Sequence, residues 1–583
     1  MSPATSPVWR MREAAAPEVV AHLSEALATH EPFPPVLAGI LARRGITRYE
    51  AARRFFKPQL GDLHDPLRLR DMDRAVSRLI QAHTRGERVL LFGDYDVDGT
   101  TAVALMELAL RELGFATTYY IPDRYTEGYG LSYQGIDHGL AAGATVMITL
   151  DCGIKGHDKV RYASLKGLDV IICDHHTPGA TLPEALAVLD PKRPDCDYPY
   201  SELTGCGVGM KLLMALTEGL RLHGSPLPVE DYDPFARYCD LLVLSIACDI
   251  VPITDENRIM AYHGLHKLRH DPLPGIAALK AQASDQRDWN IADLVFFLGP
   301  RINSAGRLEH ALGAVEVLLG QQRDLIQLAA ALQTSNDERK TLDREITEQA
   351  LQAIAAQPDF EQGATTVLCD PSWHKGVIGI VASRLVEHHH RPTVLLTESE
   401  GKLVGSARSV PGFDLYQALE ACDEHLIQWG GHKYAAGLSL KPEAFETFQR
   451  AFDRAVTATI TPEQRRPLLW LDADLPFDQI NSRLLRLIDY MEPFGPANRR
   501  PTFIARGVLV RYETVLKGVH IKLTLQQGDT MWEAIGFNLA ARYAALKGQR
   551  LDVAFQPIFN TWNGKTRINL RLKDLRPSEA AAP

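Results

Sequence analysis

The chain has 583 residues, of which 45% are hydrophobic, 8% aromatic and 23% charged, a balance typical of globular proteins with large cores. At roughly 100–200 residues per domain, this length predicts about three to five domains. The longest clean apolar run, residues 241–248, is too short to cross a bilayer, and the first residues lack the pattern of a secretory signal. We therefore expect a cytoplasmic protein that does not enter a membrane.

The net charge of −9 by itself argues against a nucleic-acid binder, but the charge is unevenly distributed. From Arg465 to the C-terminus there are 18 Lys and Arg residues and 11 Asp and Glu residues, an excess of +7, which leaves −16 for the rest of the chain. An acidic body with a basic C-terminal module is typical of an enzyme that binds cations in one place and a polyanion in another. Chance unevenness between domains is the alternative.

The eight cysteines are scattered along the sequence. None forms a C-x-x-C pair, so the pattern argues against a zinc ribbon and against a dithiol redox centre. Reduced thiols in a cytosolic protein are the plain interpretation.

Residues 1–85 are predicted to form a short polar tail followed by helices, and an alternation of strands and helices comes next. Apolar runs predict strands at residues 89–92, 144–150 and 168–173, while residues 101–113 have a helical pattern. Strands that alternate with helices imply a parallel sheet, and ligands bind at the carboxyl ends of such strands. An aspartate follows each of the three predicted strands, so we expect their carboxylates to converge.

The second half of the chain changes character twice. Residues 323–357 contain no Pro or Gly and predict one long helix, which we interpret as a connector between globular parts. Residues 363–455 return to strand–helix alternation, and short alternating strands after Trp470 predict a small β-barrel or sandwich. The expected divisions are an N-terminal helical segment (1–85), an α/β catalytic domain (86–320), a connector helix (321–358), a second, smaller α/β domain (359–460) and a barrel domain (465–577).

The sharpest motif is the acidic segment at residues 93–99, in which Asp94, Asp96 and Asp98 would share one face of an extended chain. Three carboxylates this close repel one another unless cations neutralise them, and oxygen ligands suit Mg²⁺ or Mn²⁺. A calcium-binding EF-hand loop is excluded because it needs a Glu where Leu105 stands, and because a strand precedes the motif. A solvated acidic turn is the alternative for this motif alone.

Two further features add potential ligands. A lone His pair is more often structural than catalytic, but the triplet at residues 174–176 ends a predicted strand, as Asp151 does. Asp249 closes an apolar run, where an acid at a helix end is the alternative interpretation. Imidazole combined with carboxylates favours Mn²⁺ over a site made of oxygen alone. Together these groups suit two metal ions about 3.5–4 Å apart, which would activate a water and clamp a phosphodiester.

These residues, in this order, resemble the motifs of the DHH phosphoesterase superfamily. Other segments resemble, within it, the family of single-stranded-DNA-specific exonucleases, namely residues 299–308, 373–379, 406–409, 430–432 and 491–496. The last of these resembles the entry to that family's oligonucleotide-binding barrel. The resemblance spans about residues 45–575. It implies a parallel-sheet DHH domain, a connector helix, a DHH-associated domain and a C-terminal barrel of the oligonucleotide-binding type.

The resemblance also implies a catalytic centre with two divalent cations, Mn²⁺ or Mg²⁺. One cation would be held by Asp94, Asp96 and Asp151. The other would be held by Asp98, Asp151, His175 and Asp249. His176 would lie beside the scissile phosphate and stabilise its developing charge. The superfamily often has a His where Phe92 stands here, so Asp94 is the expected substitute in the first metal's shell.

Substrate contacts are implied for a further set, namely Arg124, Arg301, Asn303, Arg307, His374, Arg408, Gly430, Gly431 and His432. Arginine forks suit phosphate, so the four arginines, in segments expected to be loops, should grip the strand or its 5′-phosphate; plain surface positions are the alternative. The Gly430–Gly431 pair is expected to offer exposed amides to a phosphate, with a simple turn as the alternative. The barrel would stack bases on aromatics, for which Trp532 and Phe537 are candidates, although core packing is the alternative.

The expected function is therefore a single-strand-specific 5′→3′ DNA exonuclease of repair and recombination, which releases 5′-mononucleotides. Single-strand-binding protein and a helicase are implied as partners. A small-molecule phosphoesterase is one alternative, but it needs neither the connector helix nor the barrel. A strand-binding scaffold without metals is another, and the complete set of acids argues against it.

Overall fold

The computed structural model describes residues 6–29, 31–283, 288–308, 310–357, 360–562 and 565–578. The helices in chain order are α1 (Pro17–Ala26), α2 (Pro35–Arg43), α3 (Tyr49–Phe56), α4 (Met72–Arg85), α5 (Val97–Glu112), α6 (Tyr133–Ala141), α7 (His157–Leu165), α8 (Gly205–Leu222), α9 (Pro234–Cys248), α10 (Asp255–His270), α11 (Pro274–Lys280), α12 (Ile291–Asp293), α13 (Gly299–Leu308), α14 (Leu312–Leu319), α15 (Leu325–Ala355), α16 (Ile378–His389), α17 (Leu415–Glu420), α18 (Phe445–Thr459), α19 (Ser482–Asp489) and α20 (Ala540–Ala544). The strands are β1 (Val8–Met11), β2 (Arg88–Gly93), β3 (Ala116–Tyr120), β4 (Ala144–Leu150), β5 (Asp169–Cys173), β6 (Ala187–Leu189), β7 (Thr366–Cys369), β8 (Thr393–Ser399), β9 (Lys402–Arg408), β10 (Gln428–His432), β11 (Ala435–Leu440), β12 (Leu468–Leu471), β13 (Ala473–Asp474), β14 (Phe503–Leu516), β15 (His520–Gln527), β16 (Thr530–Gly536), β17 (Leu551–Trp562) and β18 (Lys565–Pro577).

The chain divides into two compact units. The first unit consists of residues 50–338 and 491–499, and the second of residues 1–49, 339–490 and 500–583. The short segment 491–499 belongs to the first unit, where the buried Arg258 side chain donates hydrogen bonds to the carbonyl oxygens of Met491 (3.1 Å) and Glu492 (2.7 Å). Residues 491–496, which resemble the entry to the barrel, are therefore anchored in the first unit.

A five-stranded parallel sheet in the order β3-β2-β4-β5-β6 forms the centre of the first unit. Strand β2 is an unbroken apolar run because both of its faces are covered. Val89 and Leu91 face a large core with α4, α5, α8 and α9, whereas Leu90 and Phe92 face a smaller core with α6 and α7. The predicted parallel sheet is confirmed.

The strand register brings four aspartates to one edge of this sheet. Gly93 pairs with Leu150, Leu150 with Cys173, and Cys173 with Leu189. The next residue after each of these strand ends is an aspartate, so the four acids stand side by side, at positions 94, 151, 174 and 190. The convergence predicted for three strand ends is confirmed, and β6 adds a fourth that we did not predict.

The second unit contains a five-stranded mixed sheet in the order β10-β11-β9-β8-β7, in which only β7 and β8 run parallel. Helix α18 contributes Phe448, Phe452 and Val456 to its core. The alternative of a simple turn at Gly430–Gly431 is wrong, because both residues lie in the edge strand β10, where Gly431 pairs with Ala436.

The C-terminal part of the second unit is a closed barrel. Strands β14-β15-β16-β18-β17 follow one another around it, and β17 pairs back to β14. This confirms the predicted barrel. The polar tail expected at the N-terminus is partly wrong, because β1 pairs in parallel with β12, more than 450 residues away in sequence. That distance explains why no local signal predicted the pairing.

Helix α15 has 31 residues and lies within the span predicted for one long helix. Its residues up to 338 belong to the first unit and those from 339 onward to the second. All eight cysteines are free thiols. Among the described residues, we find no helix that is both long and apolar enough to span a membrane.

Candidate metal centre

Seven side chains from five parts of the first unit meet at the carboxyl edge of its sheet. Asp94 follows strand β2, Asp151 follows β4, and His175 and His176 follow β5. Asp96 and Asp98 lie at the start of helix α5, and Asp249 lies at the end of α9. Three overlapping groups could each hold a cation, since their ligand atoms lie within 4.8 Å of one another: Asp94, Asp96 and Asp151; Asp98, His175 and Asp249; and Asp151, His175 and His176.

The acidic motif passes from a strand into a helix rather than staying extended, which corrects the expectation of one shared face. Asp96 is the N-cap of α5, and its Oδ1 accepts a hydrogen bond from the amide of Gly99 at 3.1 Å. A Cβ on Gly99 would lie 2.4 Å from the carbonyl oxygen of Asp94. Glycine is therefore required for the first turn of α5 to fold back against Asp94.

The Asp98 carboxylate is fixed by three hydrogen bonds and can still bind one cation. Its Oδ1 accepts hydrogen bonds from the amide of Cys206 (2.9 Å) and from Oγ of Ser245 (2.6 Å). Its Oδ2 accepts one from the amide of Gly205 at 2.6 Å, at the N-terminus of α8. Because each carboxylate oxygen has two lone pairs, Oδ2 retains one that can bind a cation.

Asp151 has the strained backbone that often marks a functional position, with φ at 61°. The position is crowded, because a Cβ on Gly205 would lie 2.6 Å from the Asp151 Cα. Asp151 is buried, and its Oδ1 accepts no hydrogen bond from the described residues. Burial, followed by the charges of Asp98 and Asp96, raises the pKa of Asp151 well above its ordinary value.

His175 lies at the centre of the cluster. Its Nε2 is 3.2 Å from Oδ1 of Asp151, 3.6 Å from Oδ2 of Asp249 and 3.8 Å from Oδ2 of Asp98. Neither ring nitrogen makes a hydrogen bond within the described residues. Burial lowers the pKa of His175 despite these carboxylates, which favours the neutral imidazole that binds metals.

The other carboxyl groups of the cluster with a raised pKa, Asp94, Asp96 and Asp249, are also protonated more readily than usual. Burial, then the charges of Asp98 and Asp96, raises the pKa of Asp249 to about 8. Burial, then the charge of Asp96, raises the pKa of Asp94 well above its ordinary value, and Asp94 Oδ1 has no hydrogen-bond partner among the described residues. Unpartnered carboxylate oxygens and mutual repulsion fit a site for hard divalent cations.

Asp174 is bonded in a way that separates it from the ligand set. Its Oδ1 accepts hydrogen bonds from Nδ1 of His176 at 2.8 Å and from the backbone amide of His175 at 2.7 Å, and its Oδ2 accepts the amide of Ile154 at 2.9 Å. Burial alone would raise its pKa, but these hydrogen bonds and the His176 charge hold the pKa at about 2. Asp174 is therefore an ionised carboxylate that orients His176.

Two residues at the cluster were missed by sequence reasoning. Oη of Tyr129 lies 3.1 Å from Nε2 of His176, and the Tyr129 ring is exposed. Its only sequence signal is an aromatic residue between two glycines. Asp190 is completely buried after β6, and burial, with a smaller contribution from Asp174, raises its pKa to about 7. It follows an apolar run, the signal that identified the other three strand ends.

The predicted substrate-contact residues of the first unit differ in their burial and in the groups that they contact. Arg124 is half-buried, with its guanidinium 4.8 Å from the centre of the Tyr95 ring. Arg301, Asn303 and Arg307 lie on helix α13, so the expectation of a loop there is wrong. Arg307 and Asn303 are half-buried. Arg301 is buried, stacks 3.3 Å from the centre of the Phe297 ring and donates a hydrogen bond to the Phe297 carbonyl.

The remaining expected contact residues belong to the second unit. Arg408 ends strand β9 rather than lying in a loop, and its Nη1 donates to Oγ of Ser406 (2.8 Å) and to the carbonyl of Ala407 (2.7 Å). His374 lies in a loop, where its Nδ1 accepts the amide of Gly376 at 3.1 Å. His432 is exposed at the end of the edge strand β10, directly after the pair Gly430 and Gly431.

The two barrel aromatics have different surroundings. Trp532 is half-buried, and its Nε1 donates to the Phe477 carbonyl at 3.1 Å, so it anchors the barrel. Phe537 is 50% exposed, and the guanidinium of Arg571 lies 5.9 Å from its ring centre. Of the two candidates, Phe537 is the more exposed.

Three family models match the chain in order: the DHH family, N-terminal domain, at residues 88–246, the DHHA1 domain at 361–458, and the RecJ OB domain at 471–574. The single-stranded-DNA-specific exonuclease RecJ of Haemophilus influenzae is 32% identical over 560 residues, which cover 93% of this chain and 96% of that protein. The chain belongs to the RecJ family. The RecJ protein of Bacillus subtilis is 33% identical and is matched over 94% of this chain and 68% of its own length.

Solved RecJ structures agree with this assignment. RecJ from Thermus thermophilus in complex with Mn²⁺ has a TM-score of 0.81 and 28% identity, covering 98% of this chain and 80% of that one. The same protein in complex with Mg²⁺ has a TM-score of 0.76 and 27% identity, with coverages of 98% and 79%. Together with the three family models, these matches confirm the predicted fold class: a parallel-sheet DHH domain, a DHH-associated domain and an OB barrel.

Proposed function

We propose that the chain is a metal-dependent exonuclease that hydrolyses single-stranded DNA from its 5′ end, using two divalent cations, Mn²⁺ or Mg²⁺, in repair and recombination. The observation that carries this proposal is the buried cluster at the edge of the first sheet. There, Asp94 and Asp151 each have an acceptor oxygen without a hydrogen-bond partner among the described residues, beside an imidazole with two such nitrogens. Membership of the RecJ family supplies the class of substrate.

We assign the ligand groups to two cations. One is assigned to Asp94, Asp96 and Asp151, and the other to Asp98, Asp151, His175 and Asp249, with Asp151 shared. Mn²⁺ or Mg²⁺, when bound, supplies positive charge that favours ionisation of a water and neutralises the oxygens of the phosphodiester. The titratable ligands must lose their protons for binding, so the raised pKa values of Asp151 and Asp249 make cation affinity rise with pH.

Asp174 and His176 are proposed to position the reacting phosphate. Asp174 fixes the Nδ1 side of His176, which leaves Nε2 on the side of Tyr129 and the open edge of the cluster. The hydrogen bond from His176 to Asp174 raises the pKa of His176 although burial opposes it, which favours a protonated imidazole. A protonated His176 can donate to a non-bridging phosphate oxygen as negative charge develops there.

Recognition of the 5′ end is assigned to forked, permanently charged donors near the cluster. Arg124 is the first candidate, because its charge acts on Asp94 and its guanidinium stacks on Tyr95. Arg307 is the second, since its carbonyl accepts a hydrogen bond from Tyr125, next to Arg124. Asn303 and, from the second unit, His374, Arg408, Gly430, Gly431 and His432 are proposed to contact the strand backbone. Arg301 is assigned a structural role instead.

The basic C-terminal barrel is proposed to bind the single strand away from its end, with Phe537 as a stacking residue. Single-strand-binding protein and a helicase are proposed partners, since both work on the DNA that such an enzyme degrades. We also propose a cytoplasmic location, since that substrate is found there. We also propose the domain limits 1–85, 86–320, 321–358, 359–460 and 465–577.

The test is cleavage of an oligonucleotide carrying a label at its 5′ end or at its 3′ end. With Mn²⁺ or Mg²⁺, we expect the 5′ label to be released at once as a mononucleotide, and the 3′ label to remain on progressively shorter strands. The double-stranded form should resist, and EDTA should stop the reaction. Release of the 3′ label first, or cleavage that persists in EDTA, would contradict the proposal.

A further inference from the structure

The N-terminal strand β1 and strand β12 form a small two-stranded sheet on the surface of the second unit. One face of this sheet packs on the barrel, through Trp9, Leu469, Leu471, Ile504 and Ala554. Because side chains alternate along strands, the neighbouring residues Arg10 and Trp470, which are paired in the register, lie on the opposite face. Both are exposed.

This small sheet is fixed in position by specific bonds. Nε1 of Trp9 donates to Oδ2 of Asp574 at 2.7 Å, and the guanidinium of Arg576 lies 4.6 Å from the Trp9 ring centre. The amide of Arg12 continues the pairing by donating to the carbonyl of Leu471 at 2.9 Å. The outer face is therefore a defined surface rather than a loose tail.

Three arginines surround one carboxylate at the end of this face. Nε of Arg12 lies 3.4 Å from Oδ1 of Asp472, and Nη2 of Arg43 lies 3.8 Å from the same atom. Arg44 is close enough for its pKa to respond: burial, together with the charges of Arg12 and Arg43, lowers the pKa to about 10 although Asp472 opposes this. Asp472 also accepts the amide of Thr502 at 2.9 Å, so it is only partly available to the cations.

The positive charge on this face exceeds the negative charge. Arg10 adds a fourth guanidinium, and the exposed Glu463, whose carboxylate interacts with the Arg10 charge, adds a second carboxylate. Trp470 is 40% exposed, and the guanidinium of Arg12 lies 5.1 Å from its ring centre. We name this surface, made of Arg10, Arg12, Arg43, Arg44 and Trp470, the arginine–tryptophan face.

We propose that the arginine–tryptophan face is an accessory binding site for single-stranded DNA, in which a base stacks on Trp470 and the adjoining phosphates bind Arg10 and Arg12. This inference rests on the proposed function, because it takes the strand as the substrate. The site lies outside residues 471–574, which match the RecJ OB domain, and it adds a second contact to the strand.

The chemistry of the face matches a single strand in two respects. An indole ring accepts any base by stacking, and forked guanidiniums beside it bind the phosphates on either side. Bound phosphates would also lessen the repulsion that the Arg12 charge exerts on Arg43 and Arg44. An acidic peptide would satisfy the charges but would leave the indole without a planar partner, so we favour the nucleic acid.

Binding of fluorescein-labelled oligothymidylates in EDTA, where no cleavage occurs, tests the proposal with the full-length protein. The variants are Trp470→Leu and the double variant Arg10→Gln/Arg12→Gln, and the control is Arg161→Gln, an exposed arginine on α7. We expect both variants to lose about tenfold in affinity for a 30-mer and less for a 6-mer, since one stacked base or two phosphates are involved. The double variant should also reduce the salt slope by about 1.4, at roughly 0.7 per contact.

Tryptophan fluorescence gives a second readout that does not depend on affinity. A 30-mer should quench part of the emission of the wild-type protein, and Trp470→Phe should remove that part. The proposal would be overturned if Trp470→Leu and Arg10→Gln/Arg12→Gln kept wild-type affinity and Trp470→Phe kept wild-type quenching. It would also be overturned if poly-glutamate quenched the emission and the 30-mer did not. Either result would leave wild-type cleavage of labelled single strands intact, whereas failure of the proposed function would appear as its absence.

Discussion

Nδ1 of His176 donates a hydrogen bond to Oδ1 of Asp174 at 2.8 Å, and the same oxygen accepts the backbone amides of both histidines of the triplet. One buried carboxylate thus sets the ring orientation of His176 and the course of the backbone at His175. The strand-end aspartate is consequently part of the support of the cluster rather than a ligand. We therefore expect loss of the Asp174 carboxylate to impair catalysis by changing the orientation of His176.

The first prediction concerns this pair. Asp174→Asn should lower kcat by about 10- to 100-fold, since a hydrogen bond to a charged group contributes about 1.5–3 kcal/mol. The double variant Asp174→Asn/His176→Ala should be no slower than His176→Ala, because the carboxylate would have nothing left to orient. Single-turnover rates on a 5′-phosphorylated strand provide the measurement.

Asp137→Asn is the matched control for that cycle, because Asp137 is an exposed acid that bonds the Tyr162 hydroxyl. It should retain wild-type turnover. Additive losses in the double variant would show that Asp174 acts independently of His176 and would contradict the positioning role.

The second prediction concerns the shared ligand. Asp151→Asn should abolish cleavage without lowering the melting temperature in EDTA, since it removes one of several mutually repelling acids. Asparagine is preferred to alanine because it tolerates the left-handed backbone at this position. Turnover and thermal unfolding should be measured on the same preparation. Activity within tenfold of the wild type would refute the assignment of Asp151.

The third prediction concerns pH and Asp190. Its folded-state pKa of about 7 lies above the ordinary value of 3.8, so the folded state holds the proton more tightly than the unfolded state. The stability that this provides is fully present below about pH 4 and is lost as pH rises through 7. Asp190→Asn should therefore raise the free energy of unfolding at pH 8.5, by about 1–4 kcal/mol, and change it little at pH 4.

Denaturant titrations in EDTA at the two pH values measure this difference. The amide of Lys192 donates a hydrogen bond to Oδ1 of Asp190 at 2.7 Å, and the asparagine oxygen can accept the same bond. A gain in stability that is equal at both pH values would show that the effect is not one of ionisation.

The fourth prediction separates the arginines. Arg124→Lys and Arg307→Lys keep the charge but lose the fork, so at least one should lose most of its preference for 5′-phosphate over 5′-hydroxyl ends. Arg301→Lys should instead lower the melting temperature, because Arg301 is buried on Phe297. Rates on the two kinds of end provide the comparison. If Arg124→Lys and Arg307→Lys both retain the wild-type ratio, end recognition lies elsewhere.

The parts of this fold that could be predicted are those with local signals. An apolar run that stops at an acid identified the strand ends at Asp94, Asp151 and Asp174, because parallel strands are buried on both faces. Asp190 follows the same kind of apolar run, at residues 185–189, so its strand end was predictable as well. The 31-residue helix α15 was predictable because no breaker residue interrupts it.

Other features depend on contacts that are distant in sequence. The pairing of β1 with β12 has no local cause, and Tyr129 reaches His176 only through the fold. Small residues suggested a loop at residues 303–306, yet they form part of α13, where a Cβ on Gly306 would lie 3.0 Å from the Tyr95 carbonyl oxygen. Close packing, rather than turn formation, explains that glycine.

The number of Mn²⁺ ions bound per chain, counted by electron paramagnetic resonance of the free ion during a titration, tests most directly whether the buried acids form a two-cation centre. We expect about two ions per wild-type chain and, at the same concentrations, fewer than one per chain of Asp151→Asn, because its carboxylate is assigned to both cations. Saturation of the wild type at a single ion, or two ions retained by Asp151→Asn, would contradict the two-cation centre.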